Sequence, residues 1–596
     1  MDRSFLVKIL LLLFIFPGFV LAGGGNWQTD YEKSGLKKTP RYRETIDYCR
    51  RLSEASQMVT YRSFGTSPQG RDLPLVIADK DGNFTSQQVK ASGNVIVLIQ
   101  AGIHAGEISG KDAGLMLLRD IVIRKKYFHL LDRVTLLFIP IFNVDGHERF
   151  GPYNRINQNG PEEMGWRVTA QNLNLNRDFL KADTPEMQAW LLLFNKWLPD
   201  LLVDCHATDG SDYQYQITYG IEKAANVALP VRDFTANILE PFLKRKMLHE
   251  NIPMNFYVMF RDWSNINSGL RAGAASPRFS TGYGAVQNRV FFLIETHMLK
   301  SYRTRVEATY HLLIHLLEAA NEFAADLKTA NREADRLTAE ELPGKYLPLN
   351  MRYSPKDSIW VDFLGVESDK IPSKISGTYR TVYHSDKPKT YRLPYFNRVV
   401  ATDSAMVPYA YLIPREWQLQ IERLKLHGVK LQRLKKDTTL RIVSYRFKNV
   451  KWKEQPYEGR HRCSFQTEPL EEERFFPAGT FVVPMNQRTN RVTVHLLEPG
   501  APDSFVSWGF WDAIFERKEY AEYYVLEKIA RDMLQSDSQL KAEFENKLAT
   551  DSVFAASPRE RLYFFYRHSP YWDRKINLYP VAKLMQPIKL PLAEEN

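Results

Sequence analysis

Three apolar runs fix the class of fold. They are Asn94-Val-Ile-Val-Leu-Ile-Gln100, Leu201-Leu-Val-Asp-Cys-His206 and Val290-Phe-Phe-Leu-Ile-Glu295. Each has strand length and is almost continuously apolar, and two are rich in β-branched or aromatic residues. Such runs belong to strands buried on both faces, which occur where helices cover both sides of a sheet. Residues 57–325 alternate strand-like and helix-like stretches, and Tyr310–Ala330 reads as a long closing helix. The expected architecture is α/β, a mixed central β-sheet with helices on both faces.

The runs end in residues that strand burial does not explain. His104 lies in the loop leaving the first run, and Glu107 follows three positions later, about one helical turn on. His206 ends the second run and Glu295 the third. Sites in open α/β sheets form beyond the carboxyl ends of strands. A carboxylate ending an apolar strand is costly unless paired or working. Two imidazoles and a carboxylate are the donor set of a catalytic zinc, which takes three protein ligands and keeps one open position. His104, Glu107 and His206 are therefore candidate ligands of one Zn2+, with Glu295 left free to act on water.

The order of fragments resembles the zinc metallocarboxypeptidase family: His104-x-x-Glu107, then Asn176-Arg177, then strand-terminal His206, then strand-terminal Glu295. Asn143-Val144-Asp145-Gly146 and Gly165-Trp166-Arg167 are secondary matches, and the resemblance covers residues 28–325. It implies a hydrolase in which Glu295 is general base and then general acid, and Arg167 stabilises the oxyanion. It further implies that Arg177, assisted by Asn176, grips the free C-terminal carboxylate of a peptide substrate. The family often has an acidic residue where Asn174 stands, orienting the first histidine; an amide accepts the imidazole proton but adds no charge. Tyr283, flanked by glycines, is the candidate for the family's mobile tyrosine, and Arg271 a further candidate contact. A cell-wall peptide hydrolase or an N-acyl amino acid amidase could use the same site. A non-catalytic peptide- or glycan-binding protein is disfavoured, because every ligand and the base are present.

Other histidines have plainer readings. His311 and His315 sit four apart on a packed helix with no Glu following His311, His147-Glu148 reads as a solvated loop pair, and His297 shares the strand face of Glu295.

At 596 residues the chain exceeds one ordinary core. Residues 1–22 read as a cleavable signal peptide, with Arg3 and Lys8 before an apolar stretch and Val20-Leu21-Ala22 at the cleavage site. A secreted or periplasmic enzyme without a stable membrane anchor is expected. Residues 23–56 form a lead-in, 57–330 the catalytic domain, 331–355 a polar linker, 356–500 a β-rich or α+β accessory domain and 501–596 a helical region whose apolar face must pack on something. The net charge of +11 is dispersed, and no nucleic-acid-binding pattern appears. Three cysteines, Cys49, Cys205 and Cys463, make no disulfide framework.

Overall fold

The computed structural model describes residues 26–593. The expected signal peptide lies outside the described residues. In chain order the catalytic strands are β1 (Val59–Thr66), β2 (Asp72–Ala78), β3 (Val95–Ala101), β4 (Val134–Ile139), β5 (Leu201–Thr208), β6 (Ile217–Gly220), β7 (Met254–Phe256), β8 (Leu270–Arg271) and β9 (Val290–His297). All but β8 form one eight-stranded sheet in the order β1-β2-β4-β3-β5-β9-β6-β7. The inner strands β4, β3, β5 and β9 are parallel, while β1, β2 and β6 bring antiparallel pairings. The sheet is therefore mixed.

Alternation splits the inner strands between two cores. Val95, Val97, Ile99, Val203, Cys205, Phe292 and Ile294 enter one, with the helices Ser109–Val122 and Tyr302–Glu322. Ile96, Leu98, Leu202 and Phe291 enter the other, with Trp190 and Phe194 of the helix Pro185–Trp197. That helix begins with Thr184 accepting the Met187 N–H and with Pro at its first position, both strong start signals.

The second core does not stop at the catalytic sheet. Tyr411, Ile421, Leu424, Val483, Val492, Trp508 and Trp511 join the same apolar cluster. The C-terminal half is thus packed onto one face of the catalytic layer. Its six-stranded sheet contains Ala410–Ile413, Thr438–Trp452, Cys463–Phe476 and Phe481–Pro484, and also Ala582–Leu584 from near the chain end. The last strand pairs with Ala410–Ile413 and Thr438–Trp452, so the chain crosses the expected boundary at 500 and returns. Three residues between proline-containing segments carry too little pattern to be read as a strand.

Residues 331–355 differ from a linker. They complete the helix Ala324–Glu340, whose Leu327, Ala330 and Ala334 are buried, and form the strand Tyr346–Tyr353 paired with Val399–Met406. The polar composition is the exposed face of an amphipathic helix. In the region 501–596, Phe505–Trp511 enters the shared core, whereas Tyr523–Ser536, Ser538–Thr550 and Pro558–His568 pack on one another. All three cysteines are buried and free. Among the described residues no helix is long and apolar enough to cross a membrane.

Candidate metal centre and substrate cleft

Parallel pairing builds the site. The register sets His206 on β5 directly beside Glu295 on β9. Ala101, the last residue of β3, pairs with Cys205, so the loop carrying His104 leaves the sheet next to His206. Glu107 N–H donates to the His104 carbonyl (2.9 Å), closing a turn that brings the two side chains to one point. Glu107 precedes the helix Ser109–Val122, whose first residues lie close against β5: a Cβ on Gly110 would fall 2.3 Å from Cys205 Cβ.

The donor atoms converge. His104 Nδ1 and His206 Nδ1 are 3.2 Å apart, and each is 3.1 Å from Glu107 Oε2. All three residues are buried, and together they form the one group among the described residues with the arrangement of a metal site. The far side of each ring is already engaged. His104 Nε2 meets Asn174 Oδ1 at 3.1 Å, and His206 Nε2 meets Asp204 Oδ2 at 2.8 Å. Both oxygens can accept, so each Nε2 can donate its proton there, the tautomer that turns Nδ1 toward a metal. Two lone pairs and a carboxylate oxygen crowded within 3.2 Å repel unless a cation lies among them. This donor set fits zinc.

The titration pattern has the same cause. Burial pushes His104 down to about 4 despite Glu107 beside it. Burial acts likewise on His206, but the Asp204 carboxylate outweighs it and holds this imidazole well above its ordinary range. Glu107 is held well below the usual carboxylate range: burial opposes this, but His104 and Arg155 prevail. Glu295 is pushed up to about 8, first by burial and then by the Glu107 and Asp204 carboxylates, against the pull of His206. Its Oε2 is buried without a hydrogen-bond partner. A carboxyl poised in this way can exchange a proton near neutral pH.

Arg167 Nη1 donates to Glu107 Oε1 at 3.1 Å and keeps about two-fifths of its side chain open to the cleft. Arg177 is half-buried, lies over the Phe279 ring at 4.3 Å and donates to the Asn176 carbonyl at 2.7 Å. Asn176 Oδ1 accepts the Ser280 N–H at 3.3 Å. Tyr283 is not brought to this group. It is fully buried in the interface with the C-terminal half, where its hydroxyl meets His427 Nδ1 at 2.9 Å and accepts from Gln287 Nε2 at 2.7 Å. Its flanking glycines serve packing: a Cβ on Gly284 would fall 2.4 Å from Phe291. Tyr257 lies in the field of Glu295 and Glu107, and its phenol is pushed up to about 12, first by burial and then by Glu295.

Several contacts have little sequence signal. Arg155, from the loop after Gly151, has a buried side chain that sits 2.8 Å from Glu107 Oε1. Asp204 is two positions before His206 on the same strand face, a spacing that could have revealed it. It also accepts from Gln100 Nε2 at 3.0 Å, and Gln100 Oε1 accepts from Trp190 Nε1 at 2.8 Å. Arg271 lies over Tyr353, 5.6 Å from the ring centre. His147 is not solvated: it is buried, 2.9 Å from Lys111 Nζ. His311 and His315 pair with Glu250, and His297 meets the Ser211 carbonyl.

Residues 45–196 match the family model for zinc carboxypeptidases. Over that segment the chain is similar to zinc carboxypeptidases. The matched segment contains His104, Glu107, Arg167, Asn176 and Arg177, while His206 and Glu295 lie beyond it. Carboxypeptidase 2 of Trichophyton rubrum is 24% identical over 489 residues, covering 79% of this chain and 84% of that protein. Carboxypeptidase 2 of Trichophyton tonsurans is 23% identical over 487 residues, with the same coverage. A solved metallo-carboxypeptidase from Pseudomonas aeruginosa shares 17% identity and covers 48% of this chain and 70% of its own, with a TM-score of 0.36. The chain thus combines a zinc carboxypeptidase match over residues 45–196 with a His–Glu–His group able to hold a metal ion, and the similarity to both relatives extends well past the matched segment into the C-terminal half.

Proposed function

We propose that this enzyme is a secreted zinc carboxypeptidase that removes C-terminal residues from peptides, with His104, Glu107 and His206 holding the metal. The observation that carries the reading is the convergence of the His104, Glu107 and His206 donor atoms beside the unpartnered Glu295 carboxyl. Zinc, when bound, lowers the pKa of water and polarises a scissile carbonyl. Glu295 Oε2 takes the proton from the attacking water and returns it to the leaving amine, a double use suited to a buried carboxyl oxygen with no other hydrogen-bond partner. Arg167, already aimed into the cleft, provides the fixed positive charge that a developing oxyanion needs. Arg177 receives the substrate's terminal carboxylate through its planar fork.

Hydrolysis of a peptide library with and without chelator, read by mass spectrometry, tests this. Loss of single C-terminal residues, abolished by chelator and restored by zinc, is expected. Glu295→Gln should retain stoichiometric zinc and lose at least about 100-fold in kcat. A Glu295→Gln enzyme of full activity refutes the role. Cleavage confined to acylated amino acids or cell-wall stem peptides would place the same chemistry on another substrate.

A further inference from the structure

The ribbon Tyr257–Ala272 borders the cleft at three points. Glu295, Thr218 and Asn255 stand in one row across β9, β6 and β7, so Asn255 lies two strand spacings, about 10 Å, from Glu295. The ribbon leaves β7 just beyond it. Its far turn reaches the loop that follows His206: a Cβ on Gly210 would lie 3.3 Å from the Trp263 ring. Its return strand leads on to Phe279, whose ring has the Arg177 guanidinium 4.3 Å from its centre.

Phe260 and Leu270 pair across the ribbon and turn into a buried cluster with Phe363 and Leu393. Alternation turns the residues beside that pair the other way. The Arg261 N–H donates to the Gly269 carbonyl (3.0 Å) and the Arg271 N–H to the Met259 carbonyl (2.8 Å). Arg261 and Arg271 are thus diagonal neighbours on the outer face, about 7–8 Å apart along the backbone. Two rings of the C-terminal half support them. Arg261 lies over Phe396 at 4.2 Å and Arg271 over Tyr353 at 5.6 Å, and the rings meet edge to face with centres 6.3 Å apart. Contact with a ring steadies a guanidinium and uses none of its five N–H donors. Arg261 is exposed and Arg271 half-buried, and neither forms a salt bridge among the described residues. The ribbon's one carboxylate, Asp262, accepts the Ser264 N–H at 2.8 Å. Lys370, from the strand Ile359–Pro372, donates to the Ser264 carbonyl and adds a third cation.

We propose that Arg261 and Arg271 form an anion-binding platform on the cleft lip, which takes acidic side chains of the peptide substrate upstream of the residue removed. This rests on the carboxypeptidase reading given above. Residues i and i+2 of an extended peptide point the same way and lie about 7 Å apart, which matches the spacing of the two arginines. Each guanidinium fork fits one carboxylate.

The test uses N-acetylated peptides with identical C-terminal residues, preceded by a Glu-Ala repeat, a Gln-Ala repeat or nothing. Zinc-loaded wild type should favour the Glu repeat over the Gln repeat roughly three- to tenfold in kcat/KM at low salt, the worth of two partly exposed ion pairs. The preference should lie in KM and shrink as salt is added. Arg261→Gln/Arg271→Gln should erase it and leave the rate on the shortest peptide within about twofold. Fluorescence anisotropy of labelled repeats carrying a C-terminal amide reports binding without cleavage and should show the same order. A wild type that removes no C-terminal residue overturns the function proposed above; the platform is then decided by binding, and equal affinity for the two repeats overturns it. A carboxypeptidase that treats the repeats alike, or keeps its preference in folded Arg261→Gln/Arg271→Gln, overturns this inference alone. Should the double substitution melt early, Arg261→Glu, at an exposed position, must abolish the preference, and a preserved preference there also overturns it.

Discussion

Glu186 has an unusual place for a carboxyl. It is fully buried in the first turn of the helix Pro185–Trp197, and neither Oε finds a hydrogen-bond partner. Nearby Asp145 is taken up by Arg71 and Ser67, and Asp178 by Lys181 and Thr184, so neither can relieve it. Burial, with these two carboxylates behind it, pushes Glu186 up to about 7 from an ordinary 4.5. The native state therefore binds a proton more tightly than the unfolded chain does. Its contribution to stability is complete below pH 4.5 and is lost as the pH rises through about 7. At about 1.4 kcal/mol per pH unit the full loss is about 3 kcal/mol. If the chain unfolds as one unit, an unfolding entropy of about 1.2 kcal/mol/K converts this to roughly 3 °C. Glu186→Gln removes the titration. Scanning calorimetry of wild type and variant at pH 5 and pH 8.5 should show the variant gaining about 2–3 °C relative to wild type at the higher pH. A gap between the two proteins that does not change with pH refutes the argument.

Three further outcomes concern the site. Asp204→Asn should weaken zinc about 10- to 100-fold in competition with a chelator, because His206 loses its charged partner. Asn174→Asp should act oppositely at His104, tightening zinc by up to about tenfold in the same assay. Tyr283→Phe should lower stability by about 1 kcal/mol in thermal melts and leave KM unchanged, since its hydroxyl serves the interface with His427.

The parts legible in the sequence were those made by long local patterns. The apolar runs of β3, β5 and β9 announce a doubly covered sheet, and their parallel register makes strand-terminal His206 and Glu295 neighbours. The His104–Glu107 pairing is local, within one turn of chain. What stayed hidden depends on distant chain segments. Arg155 comes from an irregular loop whose course no periodicity reports. Tyr283 stands among glycines that read as a mobile rim, yet those glycines let a helix seat against β9. Tyr257 has only a short strand before it. The sequence divides the C-terminal half into an accessory domain and a helical region, because its boundary strands are short and its contribution to the common core comes from scattered aromatics.

That common core has a consequence for how the enzyme can be made. Trp190, Phe194 and Phe291 on one side, and Tyr411, Trp508 and Trp511 on the other, fill a single apolar interior. A stop codon or protease cut after residue 340 would remove the C-terminal side of that interior and uncover the face around Tyr283, whose hydroxyl meets His427 across the junction, an apolar surface of the kind that aggregation acts upon. An enzyme trimmed to its first half would keep the core built from residues 31–334 but lose the cover on its other face.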